Sequence, residues 1–222
     1  MAVATKERIL DISERLFADS GFAKTSLRDI TKEAGVNLAA VNYHFGSKEA
    51  LLDAIFDRRF RPINDKRFAM LDEFEGSAGG DGPILEDILL AFLGPPFHAW
   101  AEMGECIQKF LKLAGQIHSE TNVEIRAAFI GQFDVVFERF TGALANALPN
   151  LAPGEVARRM HLVVGAMAHT MIWGEEIMSR APHAPHDPNQ LLDSLISFAA
   201  AGMSAPEPVQ VGVGGEESRR EE

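Results

Sequence analysis

Residues 35–52 read GVNLAAVNYHFGSKEALL. Gly35 stops the segment before it, Asn37 is a helix N-cap, and the pair Gly46-Ser47 ends one short helix and caps the next. If Val36, Ala40, Val41 and Phe45 of the short helix turn inward, Leu38, Ala39, Asn42 and Tyr43 remain outside with no charge among them. A surface helix normally shows lysine and glutamate on that side. An uncharged outer face of this kind suits the major groove of duplex DNA. Alanine or leucine touches a thymine methyl, asparagine pairs bidentately with adenine, and tyrosine reaches a phosphate.

The flanking residues complete a unit. Upstream, a helix over about 5–19 carries Ile9, Ile12, Leu16 and Phe17 as an apolar stripe and stops at Gly21. Thr25 or Ser26 then caps a second short helix, and Ser26 with Asp29 three residues on forms a capping box in which Asp replaces the usual Glu. Two short helices joined by a tight turn at Gly35, braced by a longer first helix, make a helix-turn-helix. Thr25, Ser26, Arg28 and Lys48 around it are short hydroxyls and cations suited to phosphate at helix N-termini. A cation is mildly unfavourable in the first turn of a helix, so Lys48 is read as functional. His44 fits either a hydrogen-bonded wedge or a phosphate contact. By spacing alone, 35–45 also fits one more bundle helix with Asn42 and Tyr43 in a domain contact.

Charge is distributed in keeping with this unit. The chain of 222 residues has a formal net charge of −11. Residues 1–67 hold 12 basic and 10 acidic residues, whereas the remainder holds 9 basic and 22 acidic. A slightly basic head on an acidic body presents two regions to different partners, with the head turned toward phosphates. The chain has one cysteine, Cys106, so no intrachain disulfide is possible. It lacks an apolar run of signal-peptide or membrane-spanning length, and the expectation is a soluble, cytoplasmic protein with no membrane partner.

The remaining segments also read as helix, with no strand-like alternation. Helix four starts after Ser47 and is expected to halt or kink at Pro62, followed by a separate helix over 64–74. The Gly-rich stretch 75–83 is the clearest loop. Further helices are predicted over 84–93, 96–118, 121–148, 154–180 and 188–203, and the stretch from 204 onward reads as a disordered tail.

The stretch TSLRDITKEAGVNLAAVNYHFGSKEALL, with RILDISERLFADSGFAKTS before it, resembles the DNA-binding signature of TetR-family (tetracycline-repressor-like) transcriptional regulators. The matching residues are Thr25, Ile30, Ala34-Gly35-Val36, Tyr43-His44-Phe45, Lys48 and Leu51, with Phe17, Gly21 and Phe22 upstream. The family tyrosine usually stands one position earlier, where this chain has Asn42, so the phosphate contact falls to Asn42 or Tyr43. The VNYHF form resembles a sub-branch in which fatty-acid or acyl-CoA-responsive regulators occur. The resemblance implies an all-α protein with a helix-turn-helix DNA-binding domain at 1–48, a helical effector-binding and dimerisation domain at 49–203, and a tail at 204–222. It implies double-stranded operator DNA as partner, and a small apolar effector bound among helices between 84 and 180. It also implies a homodimer through 154–180 and 188–203, two segments rich in small and apolar residues. The DNA-binding set is then Thr25, Ser26, Arg28, Asn37, Leu38, Ala39, Asn42, Tyr43, His44 and Lys48.

In the body, Phe92, Trp100, Met103, Phe129, Phe133, Phe137, Met167, Met171 and Trp173 fit either core packing or the lining of an adaptable apolar pocket. Arg126, Gln132, His161 and His169 are candidate anchors for a polar head group. His183 and His186 lie in a Pro-rich loop and read as a plain loop or a weak metal site. The chain holds no Walker loop, GxGxxG, HExxH or GxSxG, and no Glu has a His three residues later, so no catalytic, metal or cofactor site is expected. The competing class is a helical ligand-binding or adaptor protein whose head docks protein.

Overall fold

The N-terminal head is built from three helices, α1 (Ala2–Ser20), α2 (Leu27–Ala34) and α3 (Leu38–Phe45). Ile9, Phe17, Phe22, Ile30, Ala34 and Val41 are buried and form its core. The linking helix α4 (Lys48–Ser77) leads into the body, which comprises α5 (Leu85–Met103), α6 (Glu105–His118), α7 (Val123–Gly131), α8 (Asp134–Ala147), α9 (Pro153–Ser179) and α10 (Pro188–Ser204). The computed structural model describes residues 2–79, 82–118, 121–180 and 187–207, and among these it is all-α, with no strand. His183, His186 and most of the predicted tail lie outside the described residues.

Helix α4 binds the two regions together. Its 30 residues span about 45 Å at 1.5 Å per residue. Leu51, Leu52, Ile55 and Phe56 are buried near its start and Arg67 and Leu71 further along. Glu14 of α1 is buried, and its carboxylate accepts from Nη2 of Arg58 at 2.6 Å and from Nη2 of Arg59 at 2.7 Å. Asp11 accepts from Arg58 at 2.7 Å on the same seam. The head also rests on the body directly, because α1 packs against α6 and Nε2 of Gln116 donates to the carbonyl of Ala18 at 3.3 Å. At the far end of α4, Arg139 of α8 donates to Glu75 at 2.6 Å and to Asp72 at 2.9 Å. These hydrogen bonds from Arg139 hold the Glu75 carboxyl below the usual carboxylate range.

Two predicted breaks and one predicted continuous helix are corrected. Helix α4 does not halt at Pro62, and residues 64–74 continue it. Pro62 is exposed, and the carbonyl its ring leaves without an amide donor is that of Arg58, one turn earlier. Helix α5 likewise runs through Pro95 and Pro96, and the chain breaks instead at Gly104, whose φ of 50° and ψ of −125° suit a residue without a Cβ. The predicted helix over 121–148 is two helices. At the break, Gln132 and Phe133 donate to the carbonyls of Phe129 and Ile130, a tighter i+3 pattern than the α-helix. The tight turn ends α7 and lets α8 restart with Phe133 packed on Phe60, ring centroids 4.7 Å apart.

Among the described residues, no helix is long and apolar enough to cross a membrane. Helix α10 is closed by Arg159 of α9, whose buried guanidinium donates to the carbonyls of Met203 at 2.8 Å and Ala205 at 2.5 Å. Cationic donors suit the unpaired carbonyls at a helix C-terminus. The same Arg159 and its neighbour Arg158 hydrogen-bond Glu155 and lower its pKa.

The seam between head and linking helix is open to test. Glu14→Ala leaves Arg58 and Arg59 facing each other without their shared carboxylate and should cost about 3 kcal/mol of stability. Urea denaturation followed by circular dichroism measures it, and an unchanged midpoint would show that the seam contributes nothing.

Candidate nucleic-acid interface and effector core

Each helix of the head starts where a side chain caps it. Ser26 Oγ accepts from the amide of Asp29 at 3.2 Å while Asp29 Oδ2 accepts from the amide of Ser26 at 2.9 Å, so the capping box is formed with Asp in the Glu position. The hydrogen bonds from Ser26 hold the Asp29 carboxyl below its ordinary range. Gly35 then takes φ 61°, ψ 38°, and Val36 donates back to the carbonyl of Thr31 at 3.0 Å. A left-handed conformation of this kind strains any residue with a Cβ. Asn37 Oδ1 caps α3 by accepting from the amide of Ala40 at 2.9 Å, and Ser47 Oγ caps α4 from Ala50 at 3.0 Å.

These caps set the rotation of α3. Val41 is buried, while Val36, Ala40, His44 and Phe45 are half-buried against the head. Leu38, Ala39, Asn42 and Tyr43 face water, with Leu38 45% and Tyr43 84% exposed. The outer face inferred from the sequence is therefore the outer face of the fold. The His44 ring lies edge-on to Tyr43 at 5.2 Å and tilted against Phe45 at 6.0 Å, which makes it a wedge between the outer and inner sides of the helix. Ser26, Arg28 and Asn37 are exposed. Lys48 is half-buried with Nζ 4.2 Å from the centroid of the Phe22 ring, and desolvation lowers its pKa.

Thr25 is placed differently from the expectation. It is buried, and its hydroxyl donates to the carbonyls of Gly21 at 2.9 Å and Leu16 at 3.2 Å. Its amide is also engaged with Gly21 and Phe22. The side chain fastens the end of α1 to the start of α2 and has no donor left to offer a phosphate.

In the body the nine aromatic and methionine candidates divide between separate groups. Phe129 and Phe133 join Phe56, Phe60 and Phe110 in one cluster, with Phe56 and Phe129 centroids 4.8 Å apart and Phe60 and Phe110 5.1 Å apart. Phe137 is half-buried on α8. Phe92 is buried elsewhere, edge-on to Phe140 at 5.2 Å, with Met167 near it through Arg67. Trp100 is buried and Met103 half-buried at the end of α5. Trp100 sits against Gly174, where an added Cβ would lie 3.3 Å from the indole. Met171, one turn before Gly174, is buried on the same side of α9. Trp173 is not part of this lining. It is turned about 100° from Gly174 around the helix and is 49% exposed. His161 and His169 are exposed on α9 as well, which removes them as interior anchors, while Arg126 and Gln132 are half-buried.

Among the interior residues that sequence reasoning missed is Arg67. It is 3% exposed, lies over the Phe92 ring at 4.4 Å, and donates from Nε to the carbonyl of Phe92 at 2.8 Å. A lone arginine in an amphipathic helix reads as solvated. The available signal was the pair Pro95-Pro96, whose missing amides leave helix carbonyls in need of a donor.

A helix-turn-helix head with an uncharged outward helix, carried by a long helix into a larger helical body, defines a class of one-chain DNA-binding regulator. Residues 9–55 match the family described as bacterial regulatory proteins, tetR family, and residues 90–202 match the tetracyclin repressor-like C-terminal domain. The second match alone spans half of the chain, and the chain belongs to the TetR family of transcriptional regulators, which bind DNA through the helix-turn-helix. It is 33% identical over 94 residues to the HTH-type transcriptional regulator AcrR of Shigella flexneri, 41% of this chain and 41% of that one. It is 53% identical over 47 residues to the HTH-type transcriptional regulator YerO of Bacillus subtilis, 21% of this chain and 16% of that one. The chain thus spans well under two thirds of the length of these relatives.

Solved structures that resemble the whole fold include two FadR regulators. The fatty acid degradation regulator FadR of Bacillus halodurans superposes with a TM-score of 0.68 over 89% of this chain and 95% of that one, at 16% identity. FadR of Bacillus subtilis in complex with stearoyl-CoA superposes with a TM-score of 0.65 over 88% and 98%, also at 16% identity. At such identity the likeness concerns the fold.

The contrast between Thr25 and Tyr43 gives a prediction. Thr25→Val should cost about 1–2 kcal/mol by removing a buried donor, whereas Tyr43→Ala should stay within about 0.5 kcal/mol. Equal losses in paired denaturant melts would contradict the division of the head into an inner brace and an outer face.

Proposed function

We propose that this transcriptional regulator acts as a homodimeric repressor, released from its operator by a small, largely apolar effector. The observation that carries the DNA half of the reading is the uncharged, exposed quartet Leu38, Ala39, Asn42 and Tyr43 on a helix whose rotation is set by Val41 beneath and Asn37 at its start. Asn42 reads base edges, Tyr43 and Lys48 contact phosphate, and Ser26 and Arg28 hold the backbone at the start of α2. The net charge near neutrality in this half lets it approach DNA while the acidic body stays away.

A two-fold dimer is supported by the apolar residues that α9 and α10 leave uncovered. Leu162 is 72% exposed, Phe198 71%, and Trp173 and Gly165 share the outer side of α9. A second copy covers the same residues on both partners, as an isologous interface requires. Two reading helices would then meet successive major grooves about 34–36 Å apart on a pseudo-palindromic site. An apolar effector is supported by the aromatic groups along α4, α5, α7 and α8, and by the fold shared with a regulator crystallised with stearoyl-CoA. Ligand binding shifts the operator equilibrium only through different affinity for the two states, tenfold for about 1.4 kcal/mol.

Fluorescence anisotropy on a duplex selected from a random pool tests the DNA reading. Lys48→Ala should weaken binding by about tenfold on every sequence and flatten its salt dependence, while Asn42→Ala should cost about 1–3 kcal/mol at one base pair and relax preference there. Retention of affinity by both variants, or the absence of salt-dependent binding to any duplex, would refute it. For the dimer, Leu162→Glu with Phe198→Glu should yield monomers in sedimentation velocity and abolish two-site binding. A doubly substituted protein that still sediments as a dimer would place the interface elsewhere.

A further inference from the structure

Arg67 is a charge in the interior of the body whose partners, among the described residues, are all neutral. Helix α5 passes through Pro96, which has no amide hydrogen, so the carbonyl of Phe92 lacks its helical donor. Nε of Arg67, reaching across from α4, supplies that donor at 2.8 Å. Nη1 of Arg67 donates to Oδ1 of Asn64 at 3.0 Å, Nη2 lies 3.7 Å from Sδ of Met167, and the guanidinium stacks on the Phe92 ring. A carbonyl, an amide, a thioether and a ring face satisfy hydrogen bonds without neutralising the charge.

Four other arginines that are buried or half-buried are treated differently. Arg58 and Arg59 share Glu14, Arg139 holds Glu75 and Asp72, and Arg159 holds Glu155, each with an oxygen within 2.9 Å. Among the described residues, Arg67 forms no ion pair. Capping one carbonyl does not explain it, because a neutral amide or indole could donate to Phe92 without a buried charge. Burial pushes the guanidinium down to about 9, which leaves it protonated at neutral pH. Its Nη2 end is the weak point: a thioether is a poor acceptor and methionine an adaptable side chain, so this position is the one a stronger acceptor would take.

We propose that Arg67 receives an oxyanion of the effector, carboxylate or phosphate, at the place of the Met167 thioether, with the apolar remainder against Phe92 and Met167. The proposal rests on the reading that the body binds an apolar effector, and it adds the head-group chemistry. A planar guanidinium offers two parallel donors to such an oxyanion. It also gives the signal a route, because Arg67 belongs to α4, the helix that begins at Lys48 beside the reading head.

The test uses the full chain and three probes with one alkyl length: dodecanoate, dodecyl phosphate and dodecan-1-ol. Isothermal titration should show at least one anion binding the wild type about tenfold or more tighter than the alcohol, and Arg67→Gln should bring all three within about threefold of one another. The tighter anion distinguishes carboxylate from phosphate. If the alcohol binds the wild type as tightly as both anions, the Arg67 assignment is overturned and the apolar-effector reading stands. If none of the three binds, both fall. Circular dichroism checks that Arg67→Gln folds. Where it does not, Met167→Glu decides, since an internal carboxylate at Nη2 should remove the preference for anions over alcohol. Persistence of that preference in Met167→Glu would overturn the proposal.

Discussion

Glu14 lies buried on α1 with its carboxylate shared between Arg58 and Arg59 of α4, and the seating of the head on the long helix depends on this contact. A paired carboxylate of this kind cannot be moved without exposing two cations to each other, which makes the junction of head and linking helix stiff. The apolar residues around it are non-directional, so they hold the helices together without deciding their rotation. Directional contacts from Arg58 and Arg59 do that.

The outward quartet of α3 is the product of local chemistry layered on that frame. Caps at Ser26, Asn37 and Ser47 set where each short helix starts, and the left-handed Gly35 sets the turn between α2 and α3. With Val41 buried, the 3.6-residue period turns Ala39, Asn42 and Tyr43 outward, and Leu38, one turn before Val41, stays open because it stands at the start of the helix. Thr25 belongs to the same frame from the inside. A threonine at the edge of a helix N-terminus resembles a phosphate ligand by type and position, and only its burial shows that both donors are already engaged by α1 and its turn.

The body follows a different logic. Its aromatic residues divide among a cluster around Phe60, a second site around Phe92 and a pair at Phe97 and Trp100, and the buried cation Arg67 belongs to the second. A family fold held at 16% identity by the two FadR structures leaves such interior details free to vary. Regulators with one architecture can thus answer different small molecules, because function lies in the site and not in the fold.

Much was legible in the sequence because local rules dominate the head. Cap residues, glycine stops and the placement of Val36, Ala40, Val41 and Phe45 specified two short helices and the inward face of the second before any tertiary contact was known. The helical character of the body followed in the same way, as did the ends of α9 and α10. The prolines were not legible. By local rule Pro62 and the pair Pro95-Pro96 end helices, yet α4 and α5 run through them. A proline breaks a helix only where the orphaned carbonyl finds no other donor, and that depends on surroundings. Pro62 faces water, whereas Phe92 receives its donor from Arg67, 25 residues earlier in the chain. The same contact buries a charge that the sequence presents as one more solvated arginine. Local periodicity therefore determined which segments are helical and which face of α3 is free. Contacts between distant segments alone decided where helices continue and which charge lies inside.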